Sequence, residues 1–261
     1  MIGCDTVNYP TLSNPPLVEV IFELHWQLDQ ERPQDEPYYG ILAGTMFEKL
    51  RDEYPFHEPL PAAQVPADIV PHVVQHRFRK GENEWPLVQI GPGIVTLNYT
   101  REGFDRNTFH RSIKALVQTL RSIYEEDQKP TFNRLLLRYI DAVDFDFQAN
   151  NISEYISRTL KVDLKPRTSL VEDTGVSPSP TALDSTFIFS CKKPHGQFRL
   201  RFGRGRMNER DVLRWETIVE IKGQDVPQNG NEIGAWVDDA DELIHKVFFR
   251  MIEGELMERF R

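Results

Sequence analysis

Cysteine is scarce in this chain of 261 residues, which contains only Cys4 and Cys191, far apart in the sequence. Two distant thiols provide neither the closely spaced ligand pairs of a zinc site nor the framework of a disulfide-rich secreted domain. We therefore expect two free thiols.

Long apolar runs are also absent. No window approaches the roughly 20 consecutive apolar residues that a membrane-spanning helix needs. Residues 1–16 contain no basic residue followed by an apolar run, so they do not resemble a secretion signal. We expect a cytoplasmic protein that does not bind membranes.

The chain also lacks an excess of positive charge. Its 31 basic and 40 acidic residues give a net charge of -9, which argues against a surface that binds nucleic acid or anionic membrane as a whole. A local basic patch remains compatible with this balance. The hydrophobic content of 39% is sufficient for a globular core.

Motifs of familiar enzyme sites are missing as well. There is no phosphate-binding Gly-x-x-x-x-Gly-Lys-Ser/Thr loop, no Gly-x-Ser-x-Gly nucleophile turn and no His-Glu-x-x-His zinc motif. Gly203-Arg204-Gly205 follows a predicted strand but does not open a helix, which excludes a dinucleotide site. We expect no catalytic residues, no metal ligands and no cofactor.

What the chain does contain is a strong first strand at residues 14–26. Pro15 and Pro16 suit the entry of a strand, because proline cannot donate a ladder hydrogen bond. Strand alternation then gives one uniformly apolar face, which helices must cover: Val18, Val20, Phe22, Leu24 and Trp26. The other face is mixed and carries Leu17, Glu19, Ile21, Glu23 and His25.

Hydrophobic periodicity predicts the order strand, helix, three strands, helix, and then the same order again. The first set spans 14–26, 38–54, 72–79, 85–90, 94–100 and 107–124, with a long loop at 55–71. The second spans 132–147, 153–160, 186–193, 197–202, 212–222 and a helix from about 238, preceded by a loop at 224–231.

The repeated order predicts an α+β fold with a tandem duplication. Residues 1–130 and 131–261 would each form a strand-helix-three strands-helix unit, and the two would pack as one globular body. The sheet would be mainly antiparallel with helices on one face, like a saddle or a helix-grip fold. The segment ending in Gly91-Pro92-Gly93 matches the one ending in Gly203-Arg204-Gly205, which would place both at equivalent hairpins.

Several of these stretches resemble a sporadically distributed prokaryotic family of uncharacterised proteins of about this length. The resemblance rests on Pro-Pro-Leu-Val-Glu-Val-Ile-Phe-Glu-Leu at 15–24, Val-Gln-Ile-Gly-Pro-Gly at 88–93, Leu-Arg-Tyr-Ile-Asp at 137–141 and the amphipathic last helix. Members usually carry Arg at the position of His25 and Asn at that of Asp141. The resemblance implies an accessory or defence-associated bacterial protein and names no substrate.

The first candidate site is the polar part of the opening strand, where Glu19, Glu23 and His25 project in the same direction. Side chains two residues apart on a strand lie about 7 Å from each other. Glu23 and His25 would share a metal ion or a water only if a neighbouring strand added ligands. The alternative is a half-solvated face whose charges pair across strands.

The second candidate comprises Asp141, Asp144 and Asp146 near the end of the long strand at 132–147. Some enzymes place carboxylates on such sheets to hold two magnesium ions. Asp144 and Asp146 point away from Asp141 on a regular strand, so the three cannot meet. We therefore expect Asp141, on the apolar face, to form a structural ion pair.

The third candidate is a basic hairpin at residues 192–214, which includes Lys193, Arg199, Arg201, Arg204 and Arg206. Clustered cations of this kind bind phosphate groups. The alternative is that the arginines pair with Glu216 and Glu220 on the next strand. Arg204 and Arg206 are expected in a loop without such partners.

Two functional hypotheses follow from these features. The first is a non-catalytic binding protein that recognises a protein partner or a small ligand, in line with the missing catalytic motifs. The second is a nucleic-acid-binding or RNA-processing protein that uses the basic hairpin 192–214. An exposed edge strand would also allow a homo-oligomer, although no residue marks it.

Overall fold

The computed structural model of the protein describes residues 9–28, 39–66, 69–125, 129–164, 166–177 and 180–261. These residues form one nine-stranded antiparallel sheet and five α-helices, so the predicted α+β class with an antiparallel sheet is confirmed. Cys4 lies outside the described residues. Cys191 is a free thiol.

The strands follow the sheet in an order that is mirrored about its centre. Their bounds are β1 Leu17–Trp26, β2 Phe56–Pro59, β3 His76–Arg79, β4 Leu87–Gly91, β5 Ile94–Thr100, β6 Phe132–Asp144, β7 Asp184–Lys192, β8 His195–Met207 and β9 Arg210–Lys222. The spatial order is β2-β3-β4-β5-β1-β6-β9-β8-β7. The first strands of the two halves, β1 and β6, are therefore hydrogen-bonded to each other at the centre.

Three of the five helices begin at a residue whose side chain caps a free backbone N–H group. The helix bounds are α1 Tyr39–Leu50, α2 Arg106–Arg121, α3 Ile152–Leu160, α4 Gly230–Ile252 and α5 Glu255–Phe260, and the capped helices are α2, α3 and α4. Asp105 accepts a hydrogen bond from the backbone N–H of Thr108 to start α2, and Asn229 accepts one from Glu232 to start α4. The helices α2 and α4 pack against each other over the sheet.

The core lies between the apolar face of the sheet and the helices. The β1 side chains Val20, Phe22, Leu24 and Trp26 are fully buried in one contiguous cluster, as their alternation predicts. Phe109 of α2 and Ile233 of α4 belong to the same cluster. Burial of this apolar area supplies most of the stabilisation of such a fold.

The first residues of β1 depart from regular strand alternation. Its register with β6 shifts between Leu17, which lies opposite Asp141, and Glu19, which lies opposite Ile140. Such a bulge changes the face on which a side chain lies. Leu17 therefore joins the helix-covered side near Asp141, whereas the sequence places it on the mixed face with Glu19.

Three predicted boundaries are wrong. The strand expected at 72–79 begins only at His76, because His72 has a left-handed backbone with φ of 58°. Part of the loop expected at 55–71 forms β2. The last helix begins at Gly230 and not near Asp238, because the Asn229 cap and an apolar stripe beginning at Ile233 extend it towards its N-terminus.

The Gly-Arg-Gly-Arg segment also differs from expectation. It lies inside β8, which runs to Met207, and the turn falls on Asn208 and Glu209, both with positive φ. Gly91-Pro92-Gly93, in contrast, forms the turn between β4 and β5. The two glycine motifs therefore do not occupy equivalent hairpins.

Candidate functional site

The candidate site is a pocket of about 490 Å³ on the helix-covered side of the sheet. It lies where the chain segment before β1, the second half of β6, the entry to α2 and the second half of α4 meet. Most of its lining is apolar or aromatic. The lining residues are Pro10, Thr11, Leu12, Pro15, Leu17, Arg101, Phe104, Asp105, Arg106, Tyr139, Asp141, Ile244, His245, Phe248 and Phe249.

Aromatic rings form much of the wall. Phe104 packs edge-on against Tyr139, with 5.8 Å between ring centroids, and Tyr139 packs edge-on against His245 at 5.6 Å. Tyr9 stacks on Phe249 at 4.7 Å. Because these rings contact one another, they form a continuous wall beside Asp141.

Asp141 is the buried charge of this pocket. Only 3% of its surface is exposed, and in the described part of the chain its carboxyl group forms no ion pair. The structural ion pair expected from the sequence is thus not present there. Burial raises the pKa of Asp141 to about 7, although the nearby His245 partly opposes this rise. The Trp215 N–H reaches no hydrogen-bond partner among the described residues.

Beside Asp141 lies a second carboxylate with the opposite environment. Asp241 of α4 is fully buried but accepts hydrogen bonds from Tyr139 Oη and Arg106 Nε. His110 Nε2 lies 3.3 Å from it and His245 Nδ1 lies 3.2 Å from it. Burial alone would raise the pKa of Asp241, but these hydrogen bonds and charges hold that pKa far below its usual range.

The Asp241 network fixes one face of the pocket. Arg106 is held by Asp241, and Asp241 also orients Tyr139 and His245. Burial lowers the pKa of His110, but its contacts with Asp241 and Asp238 outweigh burial and raise that pKa above the ordinary value. Asp241 is thus ionised and paired and holds its neighbours in place, whereas the carboxyl group of Asp141 remains available to a ligand.

His245 is the most versatile side chain of the lining. Its Nδ1 lies 2.9 Å from the backbone carbonyl of Asp241, and because a carbonyl only accepts, Nδ1 is the hydrogen-bond donor. Among the described residues Nε2 has no partner. The polar side chains of the lining offer hydrogen bonding and proton exchange to a bound molecule, and they are Thr11, Arg101, Asp105, Arg106, Tyr139, Asp141 and His245.

The first sequence candidate lies on the opposite, open face of the sheet. Glu23 Oε2 lies 3.2 Å from His25 Nε2, and Glu19 accepts a hydrogen bond from Asn98 at 2.8 Å. Arg134 lies 3.9 Å from Glu23. No group of three metal-ligating side chains occurs within the described residues. Glu19 and Glu23 thus contact residues of the neighbouring strands β5 and β6, and Glu23 also contacts His25, which is buried on the same strand.

The carboxylates that follow Asp141 are also separated from it. Asp144 is exposed and lies 3.4 Å from Arg210. Asp146 accepts hydrogen bonds from the backbone N–H groups of Gln148 and Ala149, so it caps a turn. The three aspartates thus lie in three different local environments and do not form one site.

Most cations of the basic hairpin contact carboxylates. Arg199 contacts Glu220, Arg201 contacts Asp184, Arg204 contacts Asp211, Arg214 contacts Glu216 and Lys193 contacts Asp239, at distances from 2.6 to 3.1 Å. Arg206 donates to the backbone carbonyl of Glu209. The expectation that Arg204 lacks a carboxylate partner is wrong, because Arg204 lies on β8 beside the returning strand β9. Arg206 forms no ion pair with a carboxylate among the described residues.

Sequence reasoning missed Arg106, Tyr139, Asp241 and His245 as site residues. One signal was present: an aspartate at 241 interrupts the apolar stripe of the last helix, and a histidine follows one turn later. A charged residue on a buried face needs a partner. The partners come from β6 and α2, which no local pattern connects to α4.

The chain matches no protein-family model, and it matches no curated protein. Among the helices of the described ranges, none combines the length and the apolar character that crossing a membrane would take. The site must therefore be interpreted from its own geometry.

Proposed function

We propose that the protein is a binding protein whose pocket holds a small organic cation with an apolar or aromatic body. The observation that carries this proposal is Asp141, a buried carboxyl group that opens into an apolar pocket and forms no ion pair among the described residues. A buried charge is costly unless it is paired. A protonated amine supplies the missing partner.

The aromatic wall favours the same ligand chemistry. A cation beside an aromatic face gains electrostatic energy from the ring quadrupole, by about 0.5 to 2 kcal/mol. Phe104, Phe248 and Phe249 line the pocket together with Tyr139. Arg106 does not repel the cation strongly, because Asp241 neutralises it.

The volume of the pocket suits a small molecule. About 490 Å³ lies within the usual range for small-molecule sites, which is about 300 to 1,000 Å³. A mainly apolar lining with a few convergent polar groups is typical of such sites. A protein partner would instead require an extended surface, and the pocket is concave.

Nucleic-acid binding through the hairpin 192–214 is the alternative, and its ion pairs argue against it. Phosphate binding would have to break the contacts of Arg199, Arg201 and Arg204 with carboxylates. We expect a fluorescent single-stranded oligonucleotide to show no saturable change in polarisation even at low salt. Tight binding that weakens steeply with salt would favour the alternative.

The direct test of the pocket is thermal unfolding with matched probes at pH 8. Phenethylamine, phenethyl alcohol and phenylacetate share one ring and differ in charge. We expect only the amine to raise the midpoint, by several degrees at saturating concentration. Asp141→Asn should abolish the shift, whereas Asp144→Asn on the exposed face should retain it. Equal shifts for the three probes would refute a cation site.

The tandem duplication forms part of the proposal. It is supported by the sheet order, in which β5-β4-β3 on one side of β1 mirror β9-β8-β7 on the other side of β6. The additions β2 and α5 have no counterpart among the described residues of the other half. The helix-grip likeness and the cytoplasmic location rest on the sequence alone.

A further inference from the structure

The two edges of the sheet are protected very differently. Edge strand β2 has four residues and ends in Pro59, so it offers little to another strand. Edge strand β7 has nine residues, Asp-Ser-Thr-Phe-Ile-Phe-Ser-Cys-Lys, and contains no proline. Its outer side pairs with no other strand in the described ranges.

Apolar side chains at the middle of β7 are unusually exposed. Ile188 is 57% exposed and Phe189 is 51% exposed, on opposite faces of the strand. Charged residues occur only at the two ends, Asp184 and Lys192. A long, apolar and unprotected edge is a template for pairing with another strand.

The sequence of β7 is complementary to itself. When two copies of the strand run antiparallel with Ile188 opposite Ile188 of the second copy, Phe187 lies opposite Phe189. Asp184 then lies opposite Lys192, so both ends of the pair join opposite charges. Shifting the register by two residues in either direction separates these charges.

We propose that the protein is a homodimer in which the β7 strands of two copies pair antiparallel about a two-fold axis through Ile188. The axis is perpendicular to the sheet, so one continuous eighteen-stranded sheet forms with the helices of both copies on the same side. Such a contact is isologous and closes, since each copy has a single β7 edge. It does not depend on the proposed ligand.

The outward charges of β7 do not prevent this pairing. Asp184 contacts Arg201 of its own chain at 2.9 Å, which leaves the carboxylate 66% exposed and accessible to a second cation. Lys192 is exposed at the other end. The Arg199 and Arg201 side chains beside Ile188 are already paired with carboxylates. Charge repulsion across the axis is therefore small.

The test is the mass of the full chain in solution by light scattering, with circular dichroism as a check of folding. We expect twice the mass of one chain at micromolar concentration. Ile188→Lys should give a monomer, because two ammonium groups would face each other. Ile41→Lys, at an equally exposed isoleucine of α1, should leave the dimer intact.

A charge exchange tests the register. Lys192→Asp places like charges opposite each other at both ends of the strand pair and should raise the dissociation constant about tenfold. Adding Asp184→Lys should restore it, because the pairs are then reversed. A monomeric wild type, including one that pairs with a strand of another protein, would overturn the proposal. A dimer that survives Ile188→Lys, or a Lys192→Asp defect that Asp184→Lys leaves in place, would overturn it as well.

Discussion

Asp141 and Asp241 lie on facing elements of one pocket, yet their chemistry differs because of their neighbours. Asp241 receives hydrogen bonds from Tyr139 and Arg106, whereas Asp141 forms no ion pair with a described residue. A paired buried carboxylate stabilises a fold, and an unpaired one destabilises it in its ionised form. The two residues therefore predict opposite effects of substitution.

Asp141→Asn should stabilise the protein at high pH. Because burial raises the pKa of Asp141 from 3.8 to about 7, the folded state holds a proton that the unfolded state releases. The free energy of unfolding is then highest below pH 4, falls as the pH rises to about 7 and stays low above pH 7. The variant lacks this loss and should gain up to about 4 kcal/mol at pH 8.

Urea unfolding of both proteins from pH 4 to pH 8 measures this effect. The two curves should converge near pH 4 and separate by pH 8. A variant that is less stable than wild type at pH 8 would show that Asp141 has a stabilising partner.

Asp241→Asn should have the opposite effect. It removes the negative charge and replaces one of the two acceptor oxygens, which serve Arg106, Tyr139 and His110, with an NH2 donor; breaking a buried pair typically costs about 3 kcal/mol or more. The wild-type contribution is present above the ordinary pKa of an aspartate and is lost as the pH falls below it.

Asp238→Asn is the matched control, since Asp238 also contacts His110 but is 53% exposed. It should change the free energy of unfolding by less than about 1 kcal/mol. Chemical denaturation at pH 7 compares the two variants. Equal effects would contradict the central role of Asp241.

At the scale of single elements, α4 carries part of the pocket wall, and the cap at its start stabilises the helix. Asn229 accepts a hydrogen bond from the N–H of Glu232, and the helix continues through His245 and Phe248. Asn229→Ala should lower stability by about 1 kcal/mol, as is usual for a lost cap. Asn231→Ala, two residues further on and exposed, should change it little.

Helicity and thermal midpoint measure this effect in parallel for the two variants. A midpoint that falls equally in both would mean that side-chain capping at residue 229 does not hold the helix start.

Local pattern predicted most elements because they depend on alternation or helical spacing. The strands β1, β5, β6 and β9 and the apolar stripe of α2 follow directly from residue type. Patterns failed where the backbone deviates: the bulge that turns Leu17 towards Asp141, the left-handed His72 and the glycines inside β8. None of these deviations leaves a periodic signal.

The site was harder to predict than the fold for the same reason. Its residues come from four segments that are distant in sequence, and only their packing brings them together. Asp141 was identifiable as a charge on an apolar face, but its expected ion pair was not found among the described residues. Whether Asp141 has an ion-pair partner depends on the side chains that pack around it, and the order of strands does not specify these side chains.

At the scale of the whole molecule, the mirrored sheet places β1 and β6 at the centre and leaves β7 as an exposed edge. The pocket lies beside the central pair, where both halves contribute. Ligand binding near β1 and dimerisation at β7 therefore use different surfaces. Ile188→Lys should leave phenethylamine binding unchanged, and Asp141→Asn should leave the dimer unchanged.

The most direct test of the central claim is a calorimetric titration of phenethylamine into the wild-type protein at pH 6 and pH 8. A cation binds the ionised form of Asp141, whose pKa is about 7, so affinity should rise roughly tenfold between these values. Asp141→Asn should bind weakly and equally at both. An affinity in the wild type that is independent of pH, or unchanged by Asp141→Asn, would contradict a cation site at Asp141.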